Sequence, residues 1–126
     1  MADSLSMVYG VPTSIILGVA ILESGSGTSR NCKLLKNHFG IVGKNDLLKT
    51  KRIKTRYKQY NDSLASYVDF CKLMTKKKFY KKLKDSADYV LWAEAISASG
   101  YSEIPEYWKT KVVETIRKNK LHRFDD

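Results

Sequence analysis

At 126 residues the chain is long enough to bury one core and too short for two, so a single domain spanning 1–126 is expected. A hydrophobic content of 43% with 11% aromatics excludes a disordered polyelectrolyte. Lys and Arg number 23 against 13 acids, and the net charge of +10 attracts polyanions: nucleic acid, anionic lipid or an anionic cell wall. The basic residues crowd into 49–58 and 76–84, where they serve equally well as solvated faces that keep the protein soluble.

Residues 3–9 form a short helix closed by Tyr9-Gly10, and Pro12 suits the first turn of the next, where its missing N–H costs nothing. From Ile15 to Leu22 the chain is almost wholly apolar, which predicts a helix buried on most sides. Gly18 interrupts this run, which is about half the length of a bilayer crossing, so no membrane span is expected. Met1 to Ser4 lack the basic start and apolar core of a secretion signal. Gly25 and Gly27 stop the helix just beyond Glu23 and Ser24.

Residues 29–36 predict another short helix, and the glycines of 37–43 predict a tightly turned loop. Over 51–60, Ile53, Thr55 and Tyr57 alternate with Lys54, Arg56 and Lys58, the period of a strand, which predicts a small β-hairpin with a basic outer face. After the capping cluster Asn61-Asp62-Ser63, Leu64, Tyr67, Phe70, Leu73 and Met74 recur at helical spacing. Asp85-Ser86 opens a further helix that buries Tyr89, Trp92, Ala95 and Ile96 and stops at Gly100. A final helix runs from Pro105 to about Lys118, with Trp108, Val112 and Ile116 on one face. Cys32 and Cys71 form one disulfide or remain two buried thiols. Together with His38 and His122 they lack the spacing of a zinc site, and no metal or cofactor is expected.

Glu23 is the anomaly. It lies seven residues after Ile16 and four after Val19, so it projects from their side of an apolar helix. It also stands near the negative end of the helix dipole. Burial and that dipole both disfavour ionisation, predicting a carboxyl that stays protonated towards neutral pH, as an acid for glycosidic cleavage must. Periodicity alone equally allows Glu23 to end the helix at the surface, pointing into water.

Four blocks, in order, resemble a known family. Residues 10–29, GVPTSIILGVAILESGSGTS, resemble the opening of glycoside hydrolase family 73, the endo-β-N-acetylglucosaminidases of bacterial cell-wall turnover. Residues 37–41, NHFGI, are similar to its asparagine-x-phenylalanine-glycine-isoleucine segment. Tyr60-Asn61-Asp62-Ser63, with Ser66-Tyr67 and Asp69-Phe70, matches a stretch leading into a helix. Residues 98–107, ASGYSEIPEY, resemble its alanine-glycine-tyrosine block.

The resemblance implies a lysozyme-like α+β fold, mostly helical, with a small β-hairpin lobe beside the substrate groove. It implies cleavage of the β-1,4 bond between N-acetylglucosamine and N-acetylmuramic acid, with Glu23 as acid and Tyr101 orienting substrate or water. Phe39 and Gly40 match residues beside the cleft, and Tyr57, Tyr60, Tyr101 and Trp108 offer aromatic faces for sugar rings. Many members carry a second carboxylate where this chain has Thr55, flanked by Lys54 and Arg56. Asp46 and Asp62 are the nearest substitutes. Without that carboxylate, assistance by the substrate's own N-acetyl group, a mobile Asp, or Glu23 acting alone as in lytic transglycosylases all remain open. Peptidoglycan glycan strands are the expected partner, met extracytoplasmically by a monomer. A lytic transglycosylase, a muramidase and a catalytically weakened wall-binding module are the alternatives. A nucleic-acid-binding role fits the charge, but no motif supports one.

Overall fold

The apolar helix marked in the sequence is the pillar around which the rest is built. The computed structural model describes residues 1–25 and 27–125. Its helices in chain order are α1 (Ala2–Tyr9), α2 (Thr13–Ser24), α3 (Arg30–Leu35), α4 (Leu47–Lys51), α5 (Ser63–Thr75), α6 (Tyr80–Leu83), α7 (Tyr89–Ala98) and α8 (Pro105–Lys118), followed by a 3-10 turn at Leu121–Phe124. Helix α2 packs against α1, α7, α8 and that turn, while α1 also meets α5.

Ile15, Ile16 and Val19 of α2 are wholly excluded from solvent, each worth roughly 1.5–3 kcal/mol of burial. Gly18 is there for closeness. A Cβ on it would lie 2.8 Å from Ile116 Cγ1 of α8, so a larger residue would push the two helices apart. Helix α8 answers with Trp108, Val112 and Ile116, buried at four-residue intervals. Pro12 precedes α2 as its N-cap and supplies no side-chain cap. The Asp125 carboxylate does so instead from the far end of the chain, accepting from the Ser14 N–H at 2.8 Å. Gly25 closes α2 in the left-handed conformation at φ 58.

Most expected helices form: Asp62, from the expected capping cluster, caps α5, Pro105 opens α8, and Ser29 proves to be the cap of α3. Helix α7 starts later than expected, at Tyr89, because Asp88 rather than Asp85-Ser86 accepts its first N–H groups, from Val90 and Leu91.

The β-hairpin lobe does not form among the described residues. Only an isolated antiparallel bridge joins Val42 to Tyr57, and the short helix α4 occupies part of the span. Two asparagines bind the same segments through their side chains. Asn45 Nδ2 donates to the carbonyls of Thr55 and Tyr57, both at 2.9 Å. Asn37 Nδ2 donates to those of Ile41 and Lys58, also at 2.9 Å. Backbone pairing between these segments is brief: Gly43 N–H donates to the Arg56 carbonyl at 3.0 Å and Lys58 N–H to that of Ile41 at 2.8 Å, and the side-chain amides satisfy further carbonyls beside them. The alternation of Ile53, Thr55 and Tyr57 correctly reports an extended segment, but not a ladder. The two cysteines are free and buried, and burial pushes the Cys71 thiol up to about 12.

Candidate active site

Glu23 lies at the C-terminal end of α2, half-buried where the helical core meets the 37–60 segment. Trp108 Nε1–H, from α8, donates to its Oε1 at 2.7 Å. Burial raises the Glu23 carboxyl above its ordinary value, and the Trp108 hydrogen bond offsets this only in part. Glu23 therefore does not end its helix by pointing freely into water.

Facing it is the loop that Asn37 builds. The Asn37 side chain is buried, and its Oδ1 accepts from the N–H groups of Phe39, Gly40 and Ile41 at 3.2, 3.0 and 3.3 Å. This nest turns the backbone so tightly that Gly40 adopts φ 68, in the left-handed region where a side chain is strained. A Cβ at Gly40 would stand 3.2 Å from Glu23 Oε2 and 3.9 Å from the Tyr57 ring. The glycine thus leaves open the approach to the second carboxyl oxygen.

Tyr101, in the loop between α7 and α8, donates its hydroxyl to the Phe39 carbonyl at 2.9 Å. Its ring packs at 5.2 Å from Trp108 and 6.0 Å from Phe70. Burial, the Glu23 charge and Tyr60 hold this phenol well above its usual range, so it serves as a neutral donor and acceptor. Trp108 thus grips the acid, while Tyr101 ties the opposing loop to the same aromatic layer.

A cleft of about 450 Å³ opens over these groups. Glu23 reaches it from α2; Gly40, Val42, Arg56 and Tyr57 line it from the 37–60 segment, and residues 100–104 from the α7–α8 loop. Arg56 lies over the Tyr57 ring at 5.6 Å. Val42 and Ile104 present exposed apolar side chains to the cleft, 62% and 64% accessible.

Of the residues expected at the site, Glu23, Gly40, Tyr57 and Tyr101 come together here. Phe39, Tyr60 and Trp108 are buried and offer no face to a sugar. Phe39 stacks on Phe70 at 4.4 Å. Tyr60 donates its hydroxyl to Asp69 at 2.6 Å, where Lys58 also binds at 2.9 Å. Burial alone would raise Asp69, but these hydrogen bonds hold it below its usual range. Asp46 and Asp62 lie outside the cleft, one preceding α4 and the other capping α5 through the Ala65 N–H at 2.8 Å. Thr55 does not line the cleft either. Val42, Arg56, Ser102, Glu103 and Ile104 were not among the expected site residues. The available signal was position, since Ser102, Glu103 and Ile104 lie inside the matched block 98–107, Val42 follows the block 37–41, and Arg56 precedes Tyr57.

The chain also matches known proteins in sequence and in fold. A family model described as mannosyl-glycoprotein endo-beta-N-acetylglucosaminidase matches residues 1–121. The exo-glucosaminidase LytG of Bacillus subtilis is 29% identical, the match covering 99% of this chain and 50% of LytG. The peptidoglycan hydrolase FlgJ of Escherichia coli K12 is 26% identical over 84% of this chain and 40% of FlgJ. The chain thus spans about half the length, or less, of these relatives. Among solved structures, the catalytic domain of the Listeria monocytogenes autolysin Auto superposes with a TM-score of 0.78 at 20% identity, covering 98% of this chain and 81% of that one. The glycoside hydrolase domain of Salmonella typhimurium FlgJ, C-terminally truncated, gives 0.71 at 25% identity, covering 94% and 90%. No helix among the described residues is long and apolar enough to cross a membrane.

Proposed function

The chain belongs to the mannosyl-glycoprotein endo-beta-N-acetylglucosaminidase family, and on that premise we propose that it hydrolyses the β-1,4 bond between N-acetylglucosamine and N-acetylmuramic acid in peptidoglycan, with Glu23 as the acid. One observation carries this reading. The Glu23 carboxyl is raised by burial and held by Trp108 at one oxygen, while its other oxygen faces the passage kept open by Gly40. A raised carboxyl keeps its proton at a higher pH, and the departing sugar oxygen needs that proton. Once the proton has left, the Trp108 N–H stabilises the new carboxylate without reorganising.

Tyr101 holds the Phe39 carbonyl and so fixes the floor on which Gly40 sits; its hydroxyl lone pairs are left to orient substrate or water. Tyr57 and the apolar faces of Val42 and Ile104 suit the flat sides of sugar rings. Arg56 suits the lactyl and peptide carboxylates of the glycan, and the +10 charge draws the chain to an anionic wall. A substrate of this kind lies outside the cytoplasmic membrane, so the protein acts there.

Mass spectrometry of muropeptides from purified peptidoglycan tests the reading. Reducing N-acetylglucosamine ends are the expected product. Reducing muramic ends would mean a muramidase, anhydro-muramic ends a transglycosylase, and no new ends a wall-binding module.

A further inference from the structure

We propose that Glu103 supplies the second carboxylate of this reaction, taking the proton from the water that adds to the sugar as the leaving group departs. The inference rests on the reading of Glu23 as the acid. Among the residues lining the cleft, Glu23 and Glu103 alone carry carboxyl groups. They reach it from different elements, Glu23 from α2 and Glu103 from the loop that leads into α8.

Glu103 has no evident structural duty. It lies next to the start of α8, where the helix dipole favours an acidic side chain. Yet the N-cap here is Ile104, with no side-chain cap. Among the described residues, no hydrogen bond or ion pair holds the Glu103 carboxyl, and the residue is exposed. The chain on either side is nevertheless anchored. Two residues earlier, Tyr101 is tied to Phe39, and two residues later Pro105 begins α8, the helix whose Trp108 grips Glu23. The acid and the proposed base are therefore both referenced to one helix. Their surroundings differ as their tasks require: Glu23 is half-buried, whereas Glu103 faces the solvent that supplies the water.

In the step so assembled, Glu23 gives its proton to the glycosidic oxygen, and the C1–O bond breaks with its electron pair going to that oxygen. The water oxygen bonds to C1 and its proton passes to Glu103. Exchange with solvent then moves one proton from Glu103 back to Glu23, and one water is consumed per bond cleaved.

The test compares the full chain with Glu103→Gln, Glu103→Ala and Glu23→Gln on purified glycan strands, with and without sodium azide. General-base catalysis is worth about 100-fold or more, so Glu103→Gln should lose about 100-fold in kcat while KM stays within about threefold and the melting temperature is unchanged. Azide needs no base, so it should restore turnover to Glu103→Ala as a glycosyl azide product and leave Glu23→Gln inert. If Glu103→Gln keeps more than about a third of wild-type kcat, a level that acid–base catalysis does not permit, the proposal fails. It fails equally if azide does not restore Glu103→Ala. A wild-type chain that releases no new ends would instead overturn the functional reading, and this inference with it.

Discussion

The two sides of the cleft are held together by different physics. The helical side rests on apolar packing: α2 and α8 meet across Gly18 and Ile116, and Ile15, Ile16, Val19, Val112 and Ile116 are fully buried. The 37–60 side carries little core of its own, with Phe39 and Leu47 as its deeply buried apolar residues and Tyr60 nearly so. Two asparagine side chains reinforce a short backbone pairing there. Packing energy is spread over many atoms and degrades gradually when one is removed. A side-chain amide that satisfies several buried backbone groups is a single point of failure. The site lies on the seam, with its acid on the packed side and its opening on the stitched side.

Breaking the stitch should have the largest effect. Asn37→Ala leaves three N–H groups and two carbonyls without the amide that now serves them. We expect a loss of about 3 kcal/mol in urea unfolding, together with loss of cleavage. A conformational probe comes next. Gly40→Ala must hold a side chain at φ 68, costing about 1–2 kcal/mol. Its Cβ would also crowd Glu23 Oε2, so activity should fall further than a purely stability-weakened control of equal melting temperature. On the packed side, Asp125→Ala removes the remote cap of α2 at about 1 kcal/mol and should leave kcat nearly intact, because no cleft residue moves.

The smallest effect is one of pH. The Glu23 carboxyl is raised on folding, so the native chain holds its proton more tightly than the unfolded one. Stability is therefore fully present below the unfolded value near 4.5 and declines as pH rises through the folded value. Glu23→Gln removes that decline and still offers Trp108 an acceptor. It should melt slightly higher than wild type at pH 7 and show no such gain at pH 4, as read by thermal scans at the two values.

Much of the helical side was legible in the sequence because helices announce themselves locally. Pro105 and the four-residue spacing of Trp108, Val112 and Ile116 define α8, and Asp62 marks α5. Glu23 was legible as an acid on an apolar helix, although periodicity alone could not say which way it pointed. The partner that decides the matter, Trp108, lies 85 residues away in sequence, and no local pattern reports such a contact. The same blindness made Trp108 and Tyr60 look like sugar platforms, since an aromatic residue reads alike whether buried or exposed. The hairpin failed for a related reason. Alternation over 53–58 describes an extended backbone, but not how far a partner runs beside it: the backbone of 41–44 pairs only briefly, and the side chains of Asn37 and Asn45 bind the carbonyls of Thr55, Tyr57 and Lys58. Glu103 lay inside the matched block 98–107 and was not singled out, because an acid beside a helix start suits the helix dipole whatever else it does.

The most direct test of Glu23 as the acid is the rate at which wild type and Glu23→Gln release reducing ends from the same purified peptidoglycan. The structure predicts a loss of at least about 100-fold in the variant, with the circular dichroism spectrum preserved and a melting temperature no lower than that of wild type. Equal rates from two equally folded proteins would contradict it.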